Sequence, residues 1–138
     1  MDKLFFPVLY GSYRRDRTGI RLARSVIARL GEKGHDRELL DAREIGLPML
    51  DRMYKEYPEG DAPAGMERVA ESLRRADGFV FVIGEYNWGM QPGLKNLTDH
   101  FLEEWFWRPA AVASYSAGRL AGARASYVWR LSYIPCRK

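Results

Sequence analysis

Three segments hold residues whose types and spacing suit ligand chemistry. The first is Gly11-Ser12-Tyr13-Arg14-Arg15-Asp16-Arg17-Thr18-Gly19, between a strand-like and a helix-like pattern. A chain that leaves a strand to enter a helix offers unpaired N–H groups and the positive end of the helix dipole to an anion. Ser12 and Thr18 add hydroxyls, and Arg14 and Arg17 add forked charged donors that match phosphate oxygens. The reading is a phosphate site, set against a plain turn in which Ser or Thr caps the helix. Neither the three-glycine dinucleotide fingerprint nor the nucleotide triphosphatase loop with its lysine occurs, which favours a mononucleotide. The second segment, Gly84-Glu85-Tyr86-Asn87-Trp88-Gly89, places an acid, two aromatics and an amide where small turn formers would be usual. Aromatic walls and backbone amides suit a flat heterocycle. Taken singly, Trp88 reads as packing and Lys95 as a solvated charge; the combination carries the reading. The third segment, Ser116 to Arg119, follows another strand-like run.

These loops need a frame, and the chain supplies strand-like and helix-like signals in alternation. That pattern produces a parallel sheet with helices on both faces. The first strand is Leu4 to Tyr10, with its fully paired part expected from Val8 because Pro7 lacks the N–H that a central strand uses. A helix from about Gly19 to Leu30 shows an apolar stripe of Ile20, Ala23, Val26, Ile27 and Leu30. Asp36 to Asp41 is a second, weaker strand, and a long irregular stretch then runs from Leu47 to Gly65, readable as a lid or an interface arm. Met66, Val69, Ala70 and Leu73 form the buried face of the next helix. Phe79 to Ile83 is an unbroken apolar run, as expected of a strand covered on both sides. Pro92 can open the following helix; Leu94, Leu97, Phe101, Leu102 and Trp105 continue at helical spacing until Pro109. Ala110 to Tyr115 is a fourth strand, Leu120 to Leu131 a short helix, and Tyr133-Ile134-Pro135 the start of a fifth strand. Ligands of such sheets sit beyond the carboxyl ends of the strands, where all three loops fall.

The 138 residues fit one domain, 1–138, and the 46% apolar and 29% charged fractions are those of a folded globular chain. No stretch has the length of a bilayer-spanning helix, and Met1 to Tyr10 lacks the regions of a signal peptide, so a cytoplasmic protein without membrane partners is expected. The single cysteine, Cys136, permits neither an internal disulfide nor a cysteine metal cage. His35 and His100 share no ligand spacing and read as surface residues; no metal site is expected. The net charge of +4 favours an anionic partner. Nucleic acid is not expected, since the arginine cluster from Arg14 to Arg24 has no interleaved aromatics and matches no DNA-binding motif. Arg21 and Arg24 read as a solvated helix face.

Taken together, Gly11-Ser12-Tyr13-Arg14, Glu85-Tyr86-Asn87 and Pro92-Gly93-Leu94-Lys95-Asn96 resemble the NADPH-dependent FMN reductase family of flavodoxin-like quinone, azo-compound and chromate reductases. The resemblance extends from the first strand to about Arg124. It implies an α/β flavodoxin-like three-layer fold with a parallel sheet of order 2-1-3-4-5, and FMN as cofactor with NADPH or NADH as co-substrate. Gly11, Ser12, Arg14, Arg17 and Thr18 would hold the FMN phosphate. Glu85, Tyr86, Asn87 and Trp88 would border the ring, and Ser116 and Gly118 would complete the pocket. No protein residue need act as acid, base or nucleophile, because the hydride chemistry belongs to the flavin. A small-molecule electron acceptor and a homodimer or homotetramer are the partners implied. The chain departs from the family in two places. Gly84 stands where many relatives have proline, and residues 125–138 differ from the family's closing strand and helix, so an incomplete C-terminal part and an uncovered sheet face near the first helix are expected. The alternatives are a flavodoxin-type electron carrier, against which the basic balance argues mildly because the usual strongly acidic surface is absent, and a flavin-free interaction module.

Overall fold

The computed structural model describes residues 2–133. Four strands, β1 (Phe5–Tyr10), β2 (Asp36–Asp41), β3 (Phe79–Gly84) and β4 (Ala110–Tyr115), form a parallel sheet in the order β2-β1-β3-β4. The helices are α1 (Ile20–Glu32), α2 (Ala42–Ile45), α3 (Ala64–Arg75), α4 (Pro92–Asp99) and α5 (Ala123–Tyr133). Strand alternation sorts the core into two layers. Val8, Tyr10 and Val82 pack with α1 through Ala23, Ile20, Val26, Ile27 and Leu30. Leu9, Phe79, Phe81 and Ile83 point to the other face, where they meet Met66, Val69 and Leu73 of α3, Leu94 and Leu97 of α4, and Ala125 and Trp129 of α5. Among the described residues α1 alone covers its face, and Val80, Ala113 and Tyr115 there stay only half-buried.

Pro7 is accommodated by staggered pairing. β1 meets β2 from Phe5 onward but meets β3 only from Val8. Before that point Asp77 substitutes for the missing strand: its carboxylate accepts the Phe5 N–H at 2.7 Å, and its own N–H donates to the Phe5 carbonyl at 3.0 Å.

Three sequence expectations are corrected. The helix expected to run to Pro109 ends at Asp99, and Trp105 lies in a separate 3-10 turn, Glu103–Trp105. The reason is local: the Trp105 indole N–H donates to the carbonyls of Thr98 (3.2 Å) and Phe101 (3.0 Å), so the ring folds back over the helix end instead of extending it. Tyr133 closes α5 rather than opening a fifth strand, and residues 134–135 lie outside the described residues. His100 is buried, at 1% exposure, with Nδ1 2.8 Å from the Asn96 carbonyl oxygen. His35 is half-buried against Phe6.

The irregular stretch after Leu47 is tied down along its length. Asn96 donates to the Pro48 carbonyl and accepts from the Leu50 N–H, both at 2.8 Å. Tyr54 donates its N–H to the His100 carbonyl at 2.8 Å and its hydroxyl to Glu67 at 2.7 Å. Pairing of this kind on both backbone and side chains fixes the segment against α4 and α3.

Candidate functional site

The loops after β1, β3 and β4 converge on one cavity of about 290 Å³ beyond the carboxyl ends of the strands, lined by Ser12, Arg14, Asp16, Arg17, Thr18, Gly19, Glu85, Tyr86, Tyr115, Ser116 and Ala117. Seven expected site residues meet there: Ser12, Arg14, Arg17, Thr18, Glu85, Tyr86 and Ser116. Gly11 lies beneath the loop. A Cβ on it would stand 2.1 Å from the Leu94 backbone nitrogen, so glycine is what lets the loop seat against the start of α4. Asn87, Trp88 and Gly118 are not among the lining residues of that cavity. Asn87 and Trp88 form the tip of the adjacent turn, and Gly118 shapes the third loop by donating its N–H to Ser116 Oγ at 3.3 Å.

The two arginines differ in their surroundings. Arg17 bonds the Asp41 carboxylate at 2.7 Å and Glu44 at 3.1 Å. Burial opposes its charge, but the hydrogen bond and charge of Asp41, with Glu44 and the Tyr10 phenol behind, outweigh that and raise its pKa above the ordinary arginine value. Its charge is thus largely neutralised within the protein. Arg14 is exposed, lines the cavity, and has no side-chain partner among the described residues. It is the cation free to meet an anion.

Ser12 is buried with Oγ 3.0 Å from the Tyr86 hydroxyl, which joins the first loop to the second. The second loop is a closed turn: the Tyr86 N–H donates to the Gly89 carbonyl at 2.8 Å and the Gly89 N–H returns to the Tyr86 carbonyl at 2.9 Å. Asn87 and Trp88 occupy its two central positions with φ of 47° and 73°. Tyr115, which the sequence reading passed over, stands between the loops. Its ring would meet a Cβ on Gly19 at 2.1 Å, its hydroxyl would meet one on Gly84 at 2.6 Å, and its hydroxyl accepts from Gln91 Nε2 at 3.2 Å. The glycine at position 84 therefore makes room for a tyrosine at 115, a coupling between two strand ends that no local sequence signal carries. Burial first, and the nearby Tyr10 hydroxyl second, push the Tyr115 phenol well above the tyrosine range.

Three buried polar atoms have no hydrogen-bond partner among the described residues: the Tyr10 hydroxyl, Glu85 Oε2 and Gln91 Oε1. Buried polar atoms left without partners are costly and ask for a donor from elsewhere. A free cation and hydroxyls on one side, and unpaired acceptors near an aromatic turn on the other, fit a molecule with a phosphate ester at one end and a flat ring bearing N–H groups at the other. FMN has that form. Among the described residues no group of three His, Cys, Asp or Glu side chains could hold a metal.

A second recess of about 440 Å³ shares Arg14 and Tyr86 with the first. Its walls are mostly apolar, with Tyr13, Leu47, Met49 and Pro92 around Asn96. The Tyr13 hydroxyl is pinned to the Ala42 carbonyl at 2.7 Å, whereas Met49 is among the most exposed apolar side chains.

A four-stranded parallel sheet with this cleft defines a flavodoxin-like flavoprotein. Residues 7–136 match the NADPH-dependent FMN reductase family, and the chain belongs to it. A quinone reductase of Pseudomonas putida is 32% identical over 140 residues, covering 94% of this chain and 71% of that protein. An NAD(P)H-dependent FMN reductase of Pseudomonas aeruginosa is 37% identical over 93 residues, covering 64% of this chain and 49% of that protein. Among solved structures, the flavoenzyme NAD(P)H:(acceptor) oxidoreductase FerB of Paracoccus denitrificans superposes with a TM-score of 0.76 at 21% identity, covering 97% of this chain and 72% of that one. An NAD(P)H:quinone oxidoreductase of Methanothermobacter marburgensis gives 0.68 at 18% identity, covering 99% and 78%. The fold, the reductase class, and FMN with NAD(P)H as co-substrate thus agree with the reading of the sequence.

Proposed function

We propose that this chain is a single FMN-binding domain, 1–138, that reduces a small organic acceptor, of which a quinone is the class favoured. Bound FMN supplies the hydride-accepting and electron-releasing chemistry. The protein's part is to bind and orient. Arg14 gives the phosphate its charge-assisted hydrogen bonds, with Ser12 and Thr18 as hydroxyl donors. Arg17 shapes the loop through Asp41 and contributes little charge of its own. Glu85 Oε2 accepts a ring N–H, and the Tyr86–Gly89 turn holds the edge of the ring, while Ser116 borders it from the other loop, which Gly118 shapes through its bond to Ser116 Oγ. The observation that carries this reading is the convergence of three loops on one cavity whose free cation, Arg14, and unpaired buried acceptor, Glu85 Oε2, lie on different loops. The apolar recess beside it supports a quinone over an azo compound, a free flavin or a metal oxyanion, since an apolar wall favours an uncharged flat molecule.

The visible spectrum tests the reading directly. The purified protein is expected to carry or take up FMN, and anaerobic NADPH or NADH should bleach the flavin band quickly. A protein that refuses FMN would sink the proposal. A bound flavin that neither nicotinamide reduces would make the chain an electron carrier, and comparing the two nicotinamides settles the preference between them. A cytoplasmic location and self-association as a homodimer or homotetramer belong to the same reading. The lone cysteine supports the first. The exposed Leu120, Tyr127, Val128 and Leu131 support the second, and sedimentation measures it.

A further inference from the structure

The turn that borders the cavity holds a residue its backbone does not favour. With both central residues at positive φ, Tyr86–Gly89 is a turn that ordinarily places Asn then Gly at its centre. Asn87 fits. Trp88 does not, since bulky side chains avoid φ of 73°. Burial of the indole is no compensation, because Trp88 is 63% exposed. One contact stands out: the Arg124 guanidinium lies over the indole, 4.0 Å from its centroid. The same guanidinium approaches Glu85 Oε1 at 3.8 Å, and the Glu85 side chain is only 14% exposed. Arg124 is the second residue of α5, on the far side of the cavity in chain terms. The base of that helix is fixed. Ser114 Oγ donates to the Ala121 carbonyl at 2.9 Å, and Gly122, at φ 84°, lies so close to the Tyr115 backbone that a Cβ on it would come within 2.8 Å.

We propose that Arg124 is a positioning residue, which joins Glu85 to the face of Trp88 and thereby holds the Tyr86–Gly89 turn, and the ring edge it borders, to the element that follows β4. The inference rests on the flavin reading of the cavity. A cation over an indole gains from the ring's negative face, and the Glu85 carboxylate fixes which way the guanidinium lies. Trp88 occupies an unfavoured backbone position because that position presents its face to Arg124. Arg124 touches neither cofactor nor acceptor in this scheme. It acts through the turn.

The test compares the full-length protein with R124A, R124K and W88F, each alone, and with the R124A/W88F double variant. R124A should raise the FMN dissociation constant about three- to tenfold, with R124K between it and the parent, because an ammonium keeps charge beside Glu85 but stacks less well. Loss in the double variant should be no larger than in R124A alone, since W88F acts through the Arg124–indole contact that R124A has already removed. The flavin-free protein supplies an independent readout: the emission lost on changing Trp88 to Phe should shift to the red when Arg124 is removed, as the indole gains water. Full additivity in the double variant, or Trp88 emission and FMN affinity unmoved in R124K and R124A alike, would overturn the proposal. Should the parent itself decline FMN, the flavin reading falls, and the emission comparison alone decides whether Arg124 holds the turn. If R124A does not fold, R124K and W88F carry the same comparison.

Discussion

At the scale of single residues, the two loop arginines make opposite predictions. Arg14 has no partner to lose, so Arg14→Ala should leave the melting temperature close to that of the parent while weakening FMN binding about 10- to 100-fold, the worth of a hydrogen bond to a charged group. A fluorescence titration with FMN measures it. Arg17→Ala instead strands the buried Asp41 carboxylate, which should cost about 3 kcal/mol of stability in a denaturant titration. Residue types alone marked both arginines as phosphate donors. What divides them is register: Asp41 ends β2 directly beside Tyr10 at the end of β1, which brings its carboxylate under the loop. A pairing across strands 31 residues apart has no local trace, and the same is true of Tyr115 against Gly19 and Gly84. The second loop was legible because an acid and two aromatics are the wrong types for an ordinary turn, and the first because two arginines stand among hydroxyls ahead of a helix.

Elements were legible where one periodicity governed them. β2 and β3 begin where the apolar pattern places them, and α1 and α3 follow their stripes to within a few residues. α4 was not, because the pattern of Leu94, Leu97, Phe101 and Trp105 marks burial and says nothing about backbone continuity. The helix stops where an indole N–H folds back onto the carbonyls of Thr98, in its last turn, and Phe101, just beyond it. Trp105→Phe keeps the ring in the core but removes that donor, and should lower stability by about 1–2 kcal/mol in urea unfolding. An equal stability would mean the carbonyls find other donors. α2 is too short, at four residues, to show any period, and is set by its ends: Asp41 accepts the Arg43 N–H at 3.1 Å, and Gly46 closes it at φ 68°.

For the whole molecule, three phenols bear on its response to alkali. Tyr13, Tyr54 and Tyr115 all have pKa values raised above 10.0, with burial the largest cause in each. Below the unfolded value both states keep these protons, and the stabilisation is fully present. As pH rises beyond about 10 the unfolded chain releases them first, so the folded state binds more protons and stability falls with pH. Melting temperatures above that pH should decline, and less steeply in Tyr115→Phe. The parallel topology has a kinetic counterpart. Val8 pairs with Val80, so the centre of the sheet closes only when segments 72 residues apart have met. Folds dominated by such distant pairings refold slowly. The cavity takes its walls from both sides of that closure, at Ser12 and Glu85. Cofactor added to a refolding mixture therefore finds no half-built site to grip: flavin quenching should trail the recovery of tryptophan emission, and excess FMN should leave the refolding rate unchanged.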